Sequence, residues 1–276
     1  MRRLIVLIVA ALLGVGYVNG ASPDRMALDP AKRTVTLIAL GDSITAASGA
    51  CGPRIRCPDH SWATGIHVFS VFQRLRQARK DVDVTAVNLG EPGAGVAYLY
   101  AEAEEAVRQR ADYVTILIGA NDACRWPMMD PATYRAYLDE ALGVLREGLP
   151  HARVQMVSIP DLVRLWRIAH DNALARAVWR LGECPSLMIN PASVAPTDVR
   201  RRRLVGQRVD AYNHVSALAC KRYGSLCHWD HGWAHSVAFT VDMVALDYFH
   251  PNIDGQKVLA QVPLPRAWLG PFSIQK

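Results

Sequence analysis

A serine in Gly41-Asp42-Ser43 and a histidine in Asp247-Tyr248-Phe249-His250 are residues of this 276-residue chain whose types could do acyl chemistry together. A serine hydroxyl is a weak nucleophile until a base takes its proton, and the base must be held in one tautomer by a third group. A carboxylate three residues before an imidazole can reach one ring nitrogen through a single turn of backbone, leaving the other nitrogen for the serine. The candidate catalytic set is therefore Ser43, Asp247 and His250. The negative oxygen of a tetrahedral acyl intermediate needs preorganised donors. The Ser43 N–H, the Gly90 N–H of Asn88-Leu89-Gly90 and the side-chain amide of Asn121 in Gly119-Ala120-Asn121-Asp122 are the candidates for that oxyanion hole. Gly90 lacks a Cβ, which would let substrate approach its backbone closely.

These groups lie far apart in the chain, so secondary structure must bring them together. Apolar, β-branched runs at Thr34 to Leu40, Val82 to Leu89, Tyr113 to Ile118 and Val154 to Ile159 read as buried parallel strands. Between them, helical period predicts helices over Ile66 to Ala78, with Val68, Phe69, Phe72 and Leu75 on the apolar face, over Val96 to Arg110, and over Ala132 to Arg146 after Asp130-Pro131. Alternation of this kind implies an α/β fold: a flavodoxin-like three-layer α/β/α sandwich around a doubly wound parallel sheet. The serine, glycine and asparagine motifs each follow one of the first three strands, so they share the carboxyl edge of the sheet, where open α/β sheets bind ligands. After Ile159-Pro160-Asp161 the alternation breaks. Residues 162–203, rich in Trp, Leu and Arg, read as an insertion capping the cleft, in which Trp166 and Trp179 either line an acyl groove or simply pack the cap. Helical period resumes over Leu204 to Tyr223, and a last helix starts with Asp254 as its expected N-cap. Residues 34–265 read as a single domain.

Four motifs in this order, Gly-Asp-Ser at 41–43, the glycine of Asn-Leu-Gly at 88–90, Gly-x-Asn-Asp at 119–122 and Asp-x-x-His at 247–250, resemble those of the SGNH (GDSL-type) hydrolases. The resemblance covers roughly Thr34 to Ala260. Within that family, Cys124, Ile159-Pro160-Asp161 and Tyr212-Asn213 look similar to the phospholipase B-like and actinobacterial secreted lipase branch. The resemblance implies an esterase or lipase using Ser43, Gly90, Asn121 and His250 in the roles above, with a small-molecule or lipid ester as substrate and no metal or cofactor. A carbohydrate deacetylase would need the same site with a more polar groove. A secreted binding protein without turnover is the rival from another class, motivated by Glu91, a charged residue where an uncharged one often follows the glycine.

The remaining features set the surroundings. Met1-Arg2-Arg3, an apolar run from Leu4 to Val18 and the small residues Asn19-Gly20-Ala21 have the order of a secretory signal peptide over residues 1–20, with an uncleaved membrane anchor as the alternative. Six cysteines in an exported chain predict disulfides. The short intervals favour Cys51–Cys57 and Cys220–Cys227, which leaves Cys124–Cys184. A net charge of +6 is mild, and the run Arg200-Arg201-Arg202-Arg203, without interleaved aromatics, reads as a solvated helix start rather than a nucleic-acid site. Peripheral contact with lipid surfaces is compatible with it, and a monomer is expected. His228, His231 and His235, with Asp230 and Cys227, have spacings that could hold a metal, but the segment reads as an irregular loop. Asp42 and Asp122 read as turn-formers, outside the catalytic set.

Overall fold

Strand β1 (Thr34–Gly41) is buried without interruption from Leu37 onward, a pattern only a strand covered on both faces tolerates. The computed structural model describes residues 32–53 and 55–270, and the leader expected over residues 1–20 lies outside them. β1 is joined by β2 (Asp83–Asn88), β3 (Tyr113–Leu117), β4 (Arg153–Met156) and β5 (Cys227–Trp229) in one sheet of order β2-β1-β3-β4-β5, all neighbours parallel. This is the doubly wound, flavodoxin-like order. The chain leaves β1 for β2 on one side and returns past it to β3, so right-handed crossovers put the connecting helices on opposite faces and open a crevice at the strand ends.

The connections carry α1 (Val71–Ala78), α2 (Leu99–Arg108), α3 (Ala120–Cys124) and α4 (Pro131–Gly148). The 162–203 segment folds as α5 (Leu162–Ala169), α6 (Ala173–Trp179), α7 (Pro185–Met188) and the first turns of α8 (Pro196–Tyr223), and α9 (Trp233–Ser236) and α10 (Ile253–Leu259) follow β5.

Four local expectations are corrected. Helix α1 begins at Val71 rather than Ile66, because the Ser70 hydroxyl accepts the Gln73 N–H as an N-cap, and Phe69, assigned to the apolar face, is 59% exposed. Asn252, not Asp254, caps α10, accepting from the N–H groups of Asp254 and Gly255. Cys227–Trp229 is an edge strand where an irregular loop was expected; with three half-buried residues it is too short to show periodicity. The Arg200–Arg203 run is only partly a solvated helix start. Arg201 donates to the Ser186 and Ile189 carbonyls and pairs with Asp198. Arg202 is buried, its guanidinium 4.5 Å from the Trp166 ring centroid and donating to the Asn190 and Ser193 carbonyls. α8 therefore runs unbroken across residue 203, where the sequence placed the end of the insertion.

Three disulfides, Cys51–Cys57, Cys124–Cys184 and Cys220–Cys227, close a loop, tie α3 to the start of α7, and tie α8 to β5. This chemistry belongs to an oxidising compartment and points to an extracellular or secreted protein. Among the described residues no helix is long and apolar enough to cross a membrane.

Candidate active site

The turn that carries Ser43 is made possible by Gly41, whose φ of +143° and closeness to β3 leave no room for a side chain: a Cβ there would lie 2.1 Å from the Leu117 carbonyl oxygen. Past it the chain coils at once, with Ala46 N–H donating to Asp42 O and Ser48 N–H to Ser43 O, while Asp42 Oδ1 accepts the Ile44 N–H at 2.9 Å. Ser43 is thereby held at the carboxyl end of β1, 7% exposed.

The second half of the site comes from the loop before α10. Ala245 N–H donates to His250 O, and one oxygen of Asp247 accepts the N–H groups of Phe249 and His250, each at 2.9 Å. The other Asp247 oxygen is 2.8 Å from His250 Nδ1, and His250 Nε2 is 2.8 Å from Ser43 Oγ. Across 207 positions of sequence, the structure thus lines up Asp247, His250 and Ser43 through hydrogen bonds. Burial alone would lower the His250 pKa, but the hydrogen bond and charge of Asp247, with smaller contributions from Glu183 and Asp42, hold it above its ordinary value. Burial alone would raise Asp247, yet its bonds to His250 and the backbone keep it below the usual carboxylate range.

Strand register places the other candidates. Leu89 N–H donates to Ala39 O and Glu91 N–H to Gly41 O, so Gly90 lies directly against the serine turn. A Cβ on Gly90 would be 2.8 Å from Ala46 N and 3.0 Å from Asp42 O. The packing of two protein loops therefore requires a glycine here, a constraint separate from the substrate approach expected from the sequence. Gly90 N–H donates to Asn88 Oδ1 at 3.1 Å, and Asn88 Nδ2 in turn holds the Thr45 carbonyl and the Thr64 hydroxyl. Asn121, on α3 just past β3, donates from its amide nitrogen to Ala94 O at 2.9 Å. An amide nitrogen has two hydrogens, so a second donation is open to it. Glu91 is not a lone charge beside Gly90, since its carboxylate is 3.2 Å from Arg56 Nη1.

Beneath these loops lie three buried acids. Asp42 is pushed up to about 7 and Glu102 to about 9, in both cases chiefly by burial, and burial likewise raises Asp122. Glu102 accepts the Gly41 N–H at 2.7 Å and Asp122 the Val96 N–H at 2.9 Å. The role of Glu102 in bracing Gly41 was missed, because a glutamate on a helix of otherwise ordinary pattern carries no signal of burial. Gln256 was missed too. It is fully buried, donating to Ile44 O and accepting the Trp62 N–H, and so couples α10 to the serine turn.

The His228–His235 segment does other work. Cys227 is in a disulfide, Asp230 is saturated by the Ser158 hydroxyl and the amides of Ser158, Gly232 and Ala234, and His235 Nδ1 lies 2.9 Å from Ile159 O. Among the described residues no cluster of three or more His, Cys, Asp or Glu could hold a metal ion. Trp166 donates to Pro191 O and stacks on His170, which places it in the packing of the cap.

A sequence model of the GDSL-like lipase/acylhydrolase family matches residues 39–258, well over half of the chain. Among solved structures, the chain is similar to TesA (19% identity, TM-score 0.52, covering 82% of this chain and 94% of that one). It is also similar to Axe2, an acetylxylan esterase from Geobacillus stearothermophilus (20% identity, TM-score 0.53, covering 84% and 93%). A third likeness is to LAE5, an alpha/beta hydrolase enzyme from the metagenome of Lake Arreo, Spain (20% identity, TM-score 0.52, covering 83% and 93%). At such identities these likenesses show a shared fold. No curated protein matches the chain.

Proposed function

The chain belongs to the GDSL-like lipase/acylhydrolase family, and from that membership we propose that it is a serine hydrolase which cleaves carboxylic esters through an acyl-enzyme on Ser43. The observation that carries the proposal is the line of two 2.8 Å contacts from Asp247 through His250 to Ser43. His250 takes the hydroxyl proton as Ser43 Oγ attacks the ester carbonyl, then gives it to the departing alcohol. Water attacks the acyl-enzyme with His250 again as base, and the acid is released. Asp247 stays ionised and fixes the Nδ1–H tautomer. The Ser43 and Gly90 N–H groups and the Asn121 amide stabilise the oxyanion, which requires the Gly90 N–H to exchange its Asn88 partner for the charged oxygen.

The reading extends to a single catalytic domain over residues 34–265, acting as a monomer and exported by a cleaved leader at residues 1–20. Its substrate is a lipid or other acyl ester. The test is hydrolysis of p-nitrophenyl acetate, a long-chain ester, a phospholipid and an acetylated glycan by wild type and Ser43→Ala. Loss of all turnover in the variant, with the long-chain ester preferred by wild type, supports the proposal. Unchanged turnover in the variant contradicts the nucleophile, and preference for the glycan makes the enzyme a carbohydrate deacetylase.

A further inference from the structure

The cap holds a cavity of about 510 Å³ that none of the catalytic or oxyanion candidates lines. That volume falls in the range of roughly 300–1,000 Å³ in which proteins hold small ligands. Its wall is apolar along Trp179, Met188 and Pro191, all buried, and at Ile189, 54% exposed, with Asn190 and Ser193 as its uncharged polar lining.

Two guanidinium groups, Arg176 and Arg180, share this cavity with no aspartate or glutamate among its lining residues. Arg176 is fixed by donating to the His170 carbonyl at 2.9 Å. Arg180 is exposed and has no hydrogen-bond or ion-pair partner among the described residues. Of the acids close by in the chain, Asp171 is 3.5 Å from His170 and Asp198 is 2.9 Å from Arg201. An uncommitted cation at the mouth of an apolar pocket matches a ligand with one negative head and one apolar tail: the head keeps part of its hydration at the rim, and the tail leaves water.

We propose that the cap cavity is a binding site for a single-chain amphiphile with one anionic head group, its chain against Trp179 and Met188 and its head at Arg180 and Arg176. The site is separate from the hydrolytic centre, and its occupation does not depend on Ser43.

The test is isothermal titration of the whole protein with tetradecanoate, tetradecanol and tetradecyltrimethylammonium, each below its aggregation limit, in wild type, Ser43→Ala, Arg180→Glu and Ala192→Trp. Arg180 and Ala192 are both exposed, so these substitutions burden the fold little. Expected are one tetradecanoate bound per chain in wild type and in Ser43→Ala, affinity about tenfold weaker in Arg180→Glu from loss of a charge-assisted contact, and no binding in Ala192→Trp, whose indole occupies the cavity. The cationic amphiphile should bind least. No binding to wild type, wild-type affinity in both cap variants, or equal affinity for the cationic amphiphile would overturn the proposal.

Discussion

At the carboxyl edge of the sheet, the polar groups that could act on a substrate are held by closely packed, hydrogen-bonded turns. In the cap, polar groups are spent on holding the cap together. Gly41 lies against the Leu117 carbonyl and Gly90 against Ala46 and Asp42, so the turn bearing Ser43 is packed too closely for a side chain at either glycine. Across the molecule, Arg201 and Arg202 close carbonyls of the α7 region, and Trp166 donates to Pro191. Apolar surface and Arg180 are among the parts of the cap left unspent. The difference separates two proposed roles: the groups proposed to break the ester bond sit at the sheet edge, and the cap is proposed to influence which molecules stay near them.

If that division is right, the largest effects follow from the edge. Asp247→Asn should lower kcat/KM by roughly 10³–10⁴-fold, because the neutral amide no longer selects the Nδ1–H tautomer. Its pH profile carries a second signature. The base must be neutral to act, and the Asp247 carboxylate raises the His250 pKa. Removing that charge therefore moves the acid limb of kcat/KM to lower pH, although the plateau falls. A limb that stays in place or moves upward would show that Asp247 does not govern His250.

A smaller effect separates the two regions. Replacing both Cys124 and Cys184 by alanine opens a link spanning 60 positions of sequence. Chain-entropy arguments put the loss at about 4 kcal/mol of stability, read by denaturant unfolding. Because the link runs from the Asn121 helix to the cap, discrimination among esters of different chain length should change more than turnover of the acetate ester. Equal losses on all esters would mean that the cap plays no part in the choice.

The fold and the convergence of Ser43, Asp247 and His250 were legible in the residues, and the cap was not. Strand ends announce themselves, because an apolar run stops at a glycine and a polar motif follows, as at Gly41-Asp42-Ser43 and Gly119-Ala120-Asn121. Parallel strands then place those motifs at one edge without further information. Burial decided by distant partners leaves no such trace. Arg202 lies in a run of four arginines and reads as solvated until Trp166 is found beneath it. Glu102 reads as an ordinary helical glutamate until Gly41 is found donating to it. Hydroxyl and amide caps at Ser70 and Asn252 also overrode the apolar period and the nearby acid that misplaced two helix starts.

The smallest effect concerns one of those buried acids. Glu102 has its pKa raised from 4.5 to about 9, so the folded state binds a proton that the unfolded state has released. Stability therefore falls as pH rises between those values, and Glu102→Gln, which keeps an oxygen for the Gly41 N–H, is spared that fall. The variant should match wild type near pH 4 and gain on it steadily as the pH rises toward 9 in denaturant unfolding. A variant less stable at both pH values would mean that the carboxylate is ionised in the fold.

The central claim, that the hydrogen-bonded line ending at Ser43 is a working nucleophile, is tested most directly by incubating the whole protein with a fluorophosphonate and locating the adduct by peptide mass spectrometry. The account predicts one adduct per chain, on Ser43, formed at least about a thousandfold more slowly in His250→Ala, where no base takes the hydroxyl proton. No adduct, or an adduct on another residue, would contradict it.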